Sequence, residues 1–569
     1  MSGILRDQPL LPRPFVPLFG VAVLYAVFIA RTVFTYKGHL VGTLFDDALI
    51  SMRYAHNLVS GHGLVWNPGE NPPVEGYSNL AWTLIMSAVL LVCSTTIAPM
   101  VVSAIGAAIL LACGLVVRRI LQRLDAAPSL QMAGIAIVLT YYPLVFWTLR
   151  GMEVGLLAWL VLLGVEIVLG PTSDEDPQAG REIATLSALA GLAFLTRNDS
   201  ILVFAVVLAA ALQTRGARRH LLAAIVPLGV CILFQFGFRY AYYGELMPNT
   251  YVLKMTGVSL SVRLSRGLDA FAETLAPLAW LASIAGAAAL SDATPRPVKR
   301  LLVVGLALAA VQSCYLVWVG GDAWDFDHSN RFLASVAPVL WTGVVAAAPL
   351  CVRFVERARS ALVFLLLNIV FFETLFLFPV FDPPSNRMML LGWAAGIVIA
   401  VAAVAVAKGS PTRQRSLCMT GALVATVLIT SGYSWIRWSA GNGQYVVNDI
   451  GVSQFGLLLR DTVPPRTIIA AGWLGGPAYF TGFEAIDIFG KTDKHIARIT
   501  PTLPFRPGHN KEDLAYSVGM LRPDIVVIGL DRPDVEPHGY VRVREGIYVR
   551  RDEATSDWVA AAFPGTARP

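Results

Sequence analysis

The sequence predicts an all-α polytopic membrane protein with a small α/β domain at its C-terminal end. Three observations lead to this fold class. The 569 residues are 56% hydrophobic and only 14% charged, with a mean hydropathy of +0.62, whereas soluble domains carry about 25% charged residues. Apolar segments of about 20 residues, the length that crosses a bilayer as a helix, recur as far as residue 436. Beyond residue 439 the chain becomes polar and strand-like.

About 11 to 13 segments are apolar and long enough to span a membrane. The first, at 15–34, follows Arg6 and Arg13 and precedes no clear cleavage signal, so we interpret it as an uncleaved signal anchor. The segment 184–213 is interrupted at Arg197-Asn198-Asp199 and is either one span or a hairpin. The other candidates are 79–97, 99–117, 131–149, 151–170, 220–243, 270–291, 301–319, 333–351, 360–380, 388–407 and 416–436.

Basic residues predict the orientation of these spans. Short Arg- and Lys-rich runs between apolar segments are typical of cytoplasmic loops. From residue 220 onward they alternate with acidic or aromatic loops, which places 244–269, 320–332, 381–387 and the C-terminal tail outside. The early part conflicts with this rule. If the loop carrying Asp46 is outside, two further spans bring Arg118 outside as well, so either one segment is re-entrant or the rule fails locally.

The chain divides near residue 439 into two predicted domains. Residues 1–439 hold the spans, and their first outer loop, 35–78, carries an acidic pair. Residues 440–569 contain the runs RTIIAA, DIVVIGL and VRVREGIYVRR, separated by Gly and Pro turn signals, and predict an extracytoplasmic α/β domain. The six cysteines lie in or at the ends of apolar segments without a CxxC motif. This pattern indicates neither a disulfide framework nor a thiolate metal site.

Short polar motifs recur in the segments expected outside the membrane. Asp46 and Asp47 follow the first span, and later motifs are WTLRGMEVGL, LTRNDS, RYAYYGELMPNTYVLK, VGGDAWDFDHSNRF and PGHNKED. A single charge at a helix end is commonly a residue whose polar head reaches the membrane surface. Acids and bases collected on one side of the membrane instead favour a site for a lipid-linked phosphate substrate.

Missing motifs exclude several kinds of site. The chain has no GxxxxGK[ST] nucleotide loop, no HExxH zinc motif and no GxSxG nucleophile elbow. His56 and His62, with Asp46 and Asp47, are metal-ligating residue types, but their spacing matches no standard pattern. We therefore expect no required cofactor, with a divalent metal not excluded. The net charge is +6, and much of the Arg and Lys lies in short runs between apolar segments. This distribution does not indicate binding to nucleic acid. A carboxylate general base, with basic residues holding a phosphate leaving group, fits best.

The string FDDALISMRYAHNLVSGHGLVWNPGENPPVEGYSN resembles the GT-C superfamily of integral membrane glycosyltransferases. It is similar, more specifically, to the mycobacterial terminal β-(1→2)-arabinofuranosyltransferase family and its bacterial relatives. RGMEVGL, LTRND, YYGELMPNTYVLK, GGDAW with a later RF, DIFGKTDKHIAR and PGHNK resemble further blocks of that group in the same order, so the resemblance covers about residues 45–530. The chain departs from the pattern at Asn198-Asp199, where Pro or Glu is more usual, and at Lys491, where Leu or Ala is more usual.

The resemblance implies a GT-C-like fold and a bacterial inner-membrane enzyme with its active site on the extracytoplasmic side. The implied donor is a polyprenyl-monophosphate sugar, with D-arabinofuranose expected, and the acceptor is a hydroxyl of an extracytoplasmic glycan, glycolipid or protein. It implies Asp46 or Asp47 as the acceptor-activating acid. The candidate ligands of the donor phosphate are Arg53, Lys254, Arg331, His509 and Lys511. The candidate sugar or acceptor contacts are Trp66, Glu75, Tyr77, Glu153, Asn249, Asp322 and Trp324.

Two functions of other classes stay open. A transporter or flippase of polyprenyl-linked sugars needs polar residues in the middle of its helices, whereas the charges here stand mainly at helix ends and in loops. A non-catalytic assembly subunit would bind glycan through its C-terminal domain, and Asp46 and Asp47 would then be dispensable. The fold alone does not name the sugar, because one scaffold serves several.

Overall fold

The computed structural model describes residues 16–170, 178–213, 220–275, 279–324, 329–355, 431–432, 434–439 and 444–564. The predicted spans 360–380 and 388–407, and most of 416–436, lie outside these residues.

Helices form nearly all of the described apolar part, since a helix satisfies its own backbone polar groups in lipid. A hairpin of β1 (Val33–Tyr36) and β2 (His39–Gly42) separates the first two helices. The helices are α1 (Val16–Ala30), α2 (Asp46–Val59), α3 (Leu80–Leu90), α4 (Ala98–Arg123), α5 (Pro128–Thr140), α6 (Tyr142–Leu149), α7 (Val154–Val168), α8 (Ala179–Thr196), α9 (Ser200–Leu212), α10 (Leu221–Tyr243), α11 (Asn249–Met255), α12 (Leu260–Leu275), α13 (Ala279–Leu290), α14 (Arg296–Val319), α15 (Arg331–Ala334) and α16 (Ala337–Val355).

Within the described residues, α4, α10 and α14 are long and apolar enough to cross a membrane, and α5 with α6, bent by 52°, would make a fourth span. The bend falls just before Pro143, which lacks the N–H that a continuous helix uses. The predicted break in 184–213 is confirmed, because α8 ends before Arg197 and α9 begins at Ser200. The segment 270–291 instead holds the end of α12 and a separate α13. The total of 11 to 13 spans stays a prediction.

The predicted span 79–97 is wrong. α3 has only 11 residues and extends about 16 Å, roughly half the hydrocarbon thickness of a bilayer. The chain then turns, and the backbone N–H of Gly42 donates to the carbonyl of Thr96 at 2.9 Å, so α4 begins beside the β1–β2 hairpin. α4 therefore runs away from the side of Asp46 and carries Arg118 to the opposite end, which removes the conflict with the positive-inside rule.

A five-stranded sheet forms the core of the C-terminal region, so the predicted small α/β domain is confirmed. The elements of this region are α17 (Gln444–Thr462), β3 (Ile468–Ala471), α18 (Gly475–Thr481), β4 (Glu484–Asp487), α19 (Lys494–Arg498), β5 (Ile525–Val527), β6 (Tyr540–Arg544), β7 (Ile547–Arg550) and α20 (Asp557–Ala562). The strand order is β4-β3-β5-β7-β6, with β3 parallel to β4 and β5 and with β7 antiparallel to its two neighbours.

The carboxyl ends of the parallel strands β3 and β4 face the first outer loop. α18 follows β3, and its Gly475 lies against the backbone of Asp46. An ion pair between Arg150 and Asp449, whose side chains are both fully buried, joins the membrane helices to α17. The loops after β3 and β4 are thereby fixed beside the start of α2. Loops at the carboxyl ends of parallel strands are where α/β sheets commonly bind ligands.

Candidate active site

A cavity of about 460 Å³ lies where the first outer loop, α8 to α11, α14, α15 and the C-terminal domain meet. One part of its wall is apolar, with Phe194, Ile201, Leu202, Ile232 and Phe236. The other part is charged, with Asp47, Glu153, Arg197, Asp199, Arg239, Lys254, Arg331 and Lys491. A site of this composition can hold a ligand that is apolar at one end and anionic at the other.

The two adjacent acids at the start of α2 point to different places. Asp46 is 3% exposed, and its Oδ1 accepts a hydrogen bond of 3.3 Å from the backbone N–H of Gly476. Burial raises the pKa of the Asp46 carboxyl to about 8, so this group is largely protonated at pH 7. Asp47, in contrast, lines the cavity. Of the two candidates for the acid that activates the acceptor, only Asp47 faces a space that a substrate can enter.

Two cations hold Asp47. Its Oδ1 is 2.6 Å from Nζ of Lys491, and its Oδ2 is 3.3 Å from Nη1 of Arg331. Burial alone would raise the pKa of Asp47, but Lys491 and then Arg331 outweigh it and hold that pKa well below its usual range. Arg331 also donates from Nη2 to Oδ1 of Asp322 at 3.0 Å. Asp322, a predicted sugar contact, therefore fixes a guanidinium at the cavity wall.

Lys254 faces the same group of charges from α11. Its pKa is lowered to about 8 by burial and then by Arg331, against the opposing effect of Asp322 and Asp47. Within the described residues no hydrogen-bond or ion-pair partner reaches its ammonium group, although Lys254 lines the cavity. An ammonium group so placed is available to an anionic ligand. The structure thus brings together Asp47, Lys254 and Arg331 from the predicted set.

A second charged group lies on the cavity wall around Arg197. Its Nη1 is 3.0 Å from Oε1 of Glu153, and its Nε is 3.0 Å from Oδ1 of Asp199. Nδ2 of Asn79 donates to the other oxygen of Glu153 at 2.9 Å. Glu153, a predicted sugar contact, does line the cavity. Two carboxylates around one guanidinium leave this group with one net negative charge.

Glu75 and Tyr77 lie between the first outer loop and α10, and Glu75, a predicted sugar contact, is not among the residues that line the cavity. Glu75 is buried and forms an ion pair with Arg239, with Nε 2.7 Å from Oε2. Arg239 also donates from Nη2 to Oδ1 of Asn198 at 2.8 Å, which gives a structural reason for an asparagine at that departure from the family pattern. The hydroxyl of Tyr77 lies 3.1 Å from that of Tyr243, and Tyr77 lines the cavity.

Two predicted phosphate ligands have structural roles instead. The guanidinium of Arg53 is buried and donates to backbone carbonyls, including that of Phe483 at 2.8 Å. Nζ of Lys511 donates to Oγ1 of Thr256 at 2.8 Å and to the carbonyl of Ala497 at 2.7 Å. Buried carbonyls need donors, and neither side chain lines the cavity. Their assignment to the donor phosphate is therefore corrected.

Two predicted sugar contacts are also structural. Nε1 of Trp66 donates to the carbonyl of Ala485 at 2.7 Å, and the indole is buried. Nδ2 of Asn249 donates to the carbonyls of Gly490 at 2.9 Å and of Lys491 at 3.1 Å. Both side chains connect the membrane part to the C-terminal domain. Asn249 in particular fixes α11, which carries Lys254, against the loop that carries Lys491.

His509 and Trp324 lie behind the charged wall. Their rings pack edge to face with centroids 5.2 Å apart, and Trp324 packs in the same way on Phe45 at 5.3 Å. Burial, and then the charge of Lys491, holds the pKa of His509 well below its usual value. The imidazole is therefore neutral, so the predicted phosphate role of His509 is reduced to that of a neutral neighbour.

Lys491 is the main site residue that the sequence analysis did not assign. It stands in the turn after β4, where Asp487 accepts hydrogen bonds from the backbone N–H groups of Phe489 at 2.9 Å, Gly490 at 3.1 Å and Thr492 at 2.9 Å. This turn presents the lysine to Asp47. Its signal in the sequence was the departure from the family pattern after DIFG.

Within the described parts of the chain, no group of three or more His, Cys, Asp or Glu side chains is arranged to hold a metal ion. His56 and His62 do not line the cavity.

Replacing Gly475 with alanine is expected to destabilise the junction beneath the cavity. A Cβ there would overlap the carbonyl oxygen of Asp46, and because backbone atoms cannot yield as a side chain can, we expect the free energy of unfolding to fall by about 1–3 kcal/mol. Gly451→Ala in α17 is the matched control, since nothing lies within 4 Å of its Cβ position and alanine is the better helix former. Denaturant unfolding in detergent should give a lower free energy of unfolding for Gly475→Ala than for Gly451→Ala. Equal free energies would contradict the close approach of Gly475 to the backbone of Asp46.

Comparisons with known proteins agree with this architecture. A family described as a domain of unknown function, DUF8728, matches residues 436–566. The terminal β-(1→2)-arabinofuranosyltransferase of Mycobacterium tuberculosis is 30% identical over 222 residues, covering 37% of this chain and 34% of that protein. The protein of the same name from Corynebacterium glutamicum is 26% identical over 356 residues, covering 57% of this chain and 50% of that protein. The chain thus spans about a third to a half of the length of these curated relatives.

The crystal structure of ArnT from Cupriavidus metallidurans, bound to undecaprenyl phosphate, superposes with a TM-score of 0.52 over 94% of this chain and 96% of ArnT, at 15% identity. At that identity the likeness establishes the fold alone. The predicted GT-C fold of a multi-pass membrane protein is confirmed.

Proposed function

We propose that this multi-pass membrane protein of the GT-C fold, related in sequence to terminal β-(1→2)-arabinofuranosyltransferases, is itself a glycosyltransferase. It takes a sugar, with D-arabinofuranose expected, from a polyprenyl-monophosphate donor. It delivers the sugar to a hydroxyl of an extracytoplasmic glycan, glycolipid or protein. The observation that carries the proposal is the meeting of one carboxylate, Asp47, with three cations, Lys254, Arg331 and Lys491, in a cavity with an apolar flank.

The charges suit a phosphate leaving group. A sugar joined to a polyprenyl phosphate is a phosphodiester with one negative charge, whereas the departing polyprenyl phosphate is a monoester that gains a second negative charge. Groups that stabilise charge developing in the transition state accelerate a reaction most. Lys254, Arg331 and Lys491 supply that stabilisation. ArnT, which shares the fold, binds undecaprenyl phosphate in its crystal structure, and that lipid is of the same chemical class as the proposed leaving group.

In the proposed step, Asp47 accepts the proton of the acceptor hydroxyl while the acceptor oxygen forms a bond to the anomeric carbon. The bond from that carbon to the phosphate oxygen breaks, and its electron pair leaves with the polyprenyl phosphate. The sugar passes through an oxocarbenium-like state. The positive charge of this state is stabilised by the group of Glu153, Asp199 and Arg197, which together carry one net negative charge.

The apolar part of the cavity wall is suited to the first isoprene units of the donor. Leu202 on α9 is 41% exposed, and α10 carries the exposed side chains Leu222 and Leu233, so this flank borders the region that lipid would occupy. We place the cavity on the extracytoplasmic side of a bacterial inner membrane, since the basic end of α4 lies opposite it and basic loops remain in the cytoplasm.

Donor binding tests this proposal through Lys254 and Arg331. Loss of one charge-assisted hydrogen bond to phosphate costs about 1.5–3 kcal/mol, so Lys254→Met and Arg331→Met should each weaken polyprenyl-phosphate binding about tenfold to a hundredfold. The measurement is affinity in nanodiscs, with thermal stability as a check on folding. Lys37→Met, at an exposed ion pair, is the control.

The pH dependence adds a second readout. The ammonium of Lys254 has a pKa of about 8 and must be protonated to attract phosphate, so wild-type affinity should fall as pH rises above 8. Lys254→Arg should remove that fall, because arginine stays charged. Folded Lys254→Met and Arg331→Met variants that bind the donor like wild type would refute the phosphate site.

A further inference from the structure

We propose that Lys491 exchanges partners during the reaction: it pairs with Asp47 before the donor binds and turns to the donor phosphate when the donor binds, which releases Asp47 to act as base. This inference rests on the proposed function. It adds a donor-controlled activation of the base, and it assigns that role to a residue of the C-terminal domain.

The starting geometry is that of a carboxylate blocked at both oxygens. Oδ1 of Asp47 is 2.6 Å from Lys491 and Oδ2 is 3.3 Å from Arg331. A carboxylate held by two cations accepts a proton poorly, because protonation would sacrifice both ion pairs. Asp47 is therefore a weak base as long as it keeps both ion pairs.

Of its two partners, only Lys491 is built to move. Arg331 is fixed from its far side by Asp322, and its backbone begins α15, where Oδ1 of Asn330 caps the N–H groups of Phe332 and Leu333. Lys491 has a flexible four-carbon chain with a rotatable ammonium group. Its backbone is anchored in the turn closed by Asp487, so the ammonium can swing while the turn stays in place.

Within the described residues, none of the other charged and titratable groups around Asp47 is placed to leave Asp47 for the donor phosphate as Lys491 is. Asp46 and Asp449 are buried acids whose pKa values are raised to about 8 and about 7. His509 is held neutral by burial and by Lys491. Lys254 opens on the cavity without a partner among the described residues. A donor phosphate entering beside Lys254 and Arg331 adds a negative charge close to Asp47, and Lys491 is then attracted to two anions instead of one.

The charges balance at each stage of this sequence. Lys254, Arg331 and Lys491, with Asp47 and Asp322, carry one net positive charge, which matches the single negative charge of the phosphodiester donor. When Asp47 takes the acceptor proton, the same five groups carry two net positive charges, which match the two negative charges of the departing monoester. Lys491 gains and loses no proton. The arrangement makes donor binding a condition for acceptor activation.

The test compares Lys491→Met, Lys491→Arg and the control Lys494→Met, a lysine of the same domain whose Nζ donates to the carbonyl of Tyr243 outside the cavity. Transfer is measured in nanodiscs with a polyprenyl-phosphate sugar as pH varies. The acid limb of the pH profile of kcat/KM reports the pKa of the base before the donor binds, and the acid limb of the pH profile of kcat reports that pKa after the donor has bound. In wild type we expect the limb of kcat to lie at higher pH than that of kcat/KM for the donor.

In Lys491→Met the limb of kcat/KM should rise toward that of kcat, and the donor KM should increase about tenfold or more, the effect of losing a charge-assisted bond. Lys491→Arg should restore the donor KM to near the wild-type value, because arginine keeps the positive charge. A merely structural role of Lys491 in the turn does not predict this recovery, since the arginine side chain differs in shape from lysine. An active wild type with coincident limbs, or a Lys491→Met variant with unchanged limbs and donor KM, overturns the exchange. A wild type that transfers sugar from no polyprenyl phosphate overturns the proposed function itself.

Discussion

Asp47→Asn is expected to lower the rate of sugar transfer at least about 100-fold, the usual scale for removal of a general base. An amide has nearly the shape of the carboxylate but cannot accept the acceptor's proton. Asp47 is the member of the acidic pair that lines the cavity, so the full loss should fall on this position. The rate is measured as turnover of a polyprenyl-phosphate sugar by the purified variant.

Asp46→Asn is the matched control for that experiment. Asp46 is largely protonated at pH 7, since burial raises its pKa to about 8, and asparagine keeps the oxygen that accepts from Gly476. We expect this variant to stay within a few-fold of wild type. The opposite ranking, with Asp46→Asn inactive and Asp47→Asn active, would contradict the assignment of the base.

Arg150→Met should give the largest loss of stability. Its guanidinium and the carboxylate of Asp449 are fully buried against each other, and without Arg150 the buried Asp449 must either stay charged without its partner or take up a proton, at a cost of about 3–5 kcal/mol. The double variant Arg150→Met with Asp449→Leu should recover most of that loss, because two apolar side chains of similar size can replace a buried pair.

Denaturant unfolding of the purified protein in detergent measures both variants. A single variant as stable as wild type would show that this pair does not fasten the C-terminal domain to the membrane helices. A double variant no better than the single one would show that the loss comes from packing and not from the orphaned charge.

The sequence predicted the fold well where one property decides the outcome. Apolar length identified α4, α10 and α14, and the polar triplet beginning at Arg197 identified the break between α8 and α9. Apolar length failed at α3, because residues 79–97 are apolar enough for a span while the chain turns back at Ser94. Composition measures how much a segment prefers lipid, but it does not record where its backbone folds back.

The candidate site was predicted in part for a related reason. Asp47, Lys254 and Arg331 stand in distinctive motifs and do meet. Arg53 and Lys511 stand in equally distinctive motifs, but their charges satisfy buried carbonyls, and a charged residue looks the same in a sequence whether it faces a ligand or a backbone.

Lys491 could not be assigned from local pattern, because its partner Asp47 is 444 residues away in the chain. Only the folded C-terminal domain brings the two together. The departure from the family pattern at this position marked the residue as unusual without saying what it contacts.

The most direct measurement of the central claim is transfer by the purified protein in nanodiscs, supplied with a panel of synthetic polyprenyl-phosphate sugars and a hydroxyl-bearing glycan acceptor. We expect one pentose donor, polyprenyl-phosphoryl arabinofuranose, to be consumed with release of polyprenyl phosphate and formation of a glycosylated acceptor, and Asp47→Asn to abolish both. Binding of the donors without any transfer, or movement of intact donor across the bilayer with no bond broken, would contradict a glycosyltransferase and support an assembly subunit or a flippase instead.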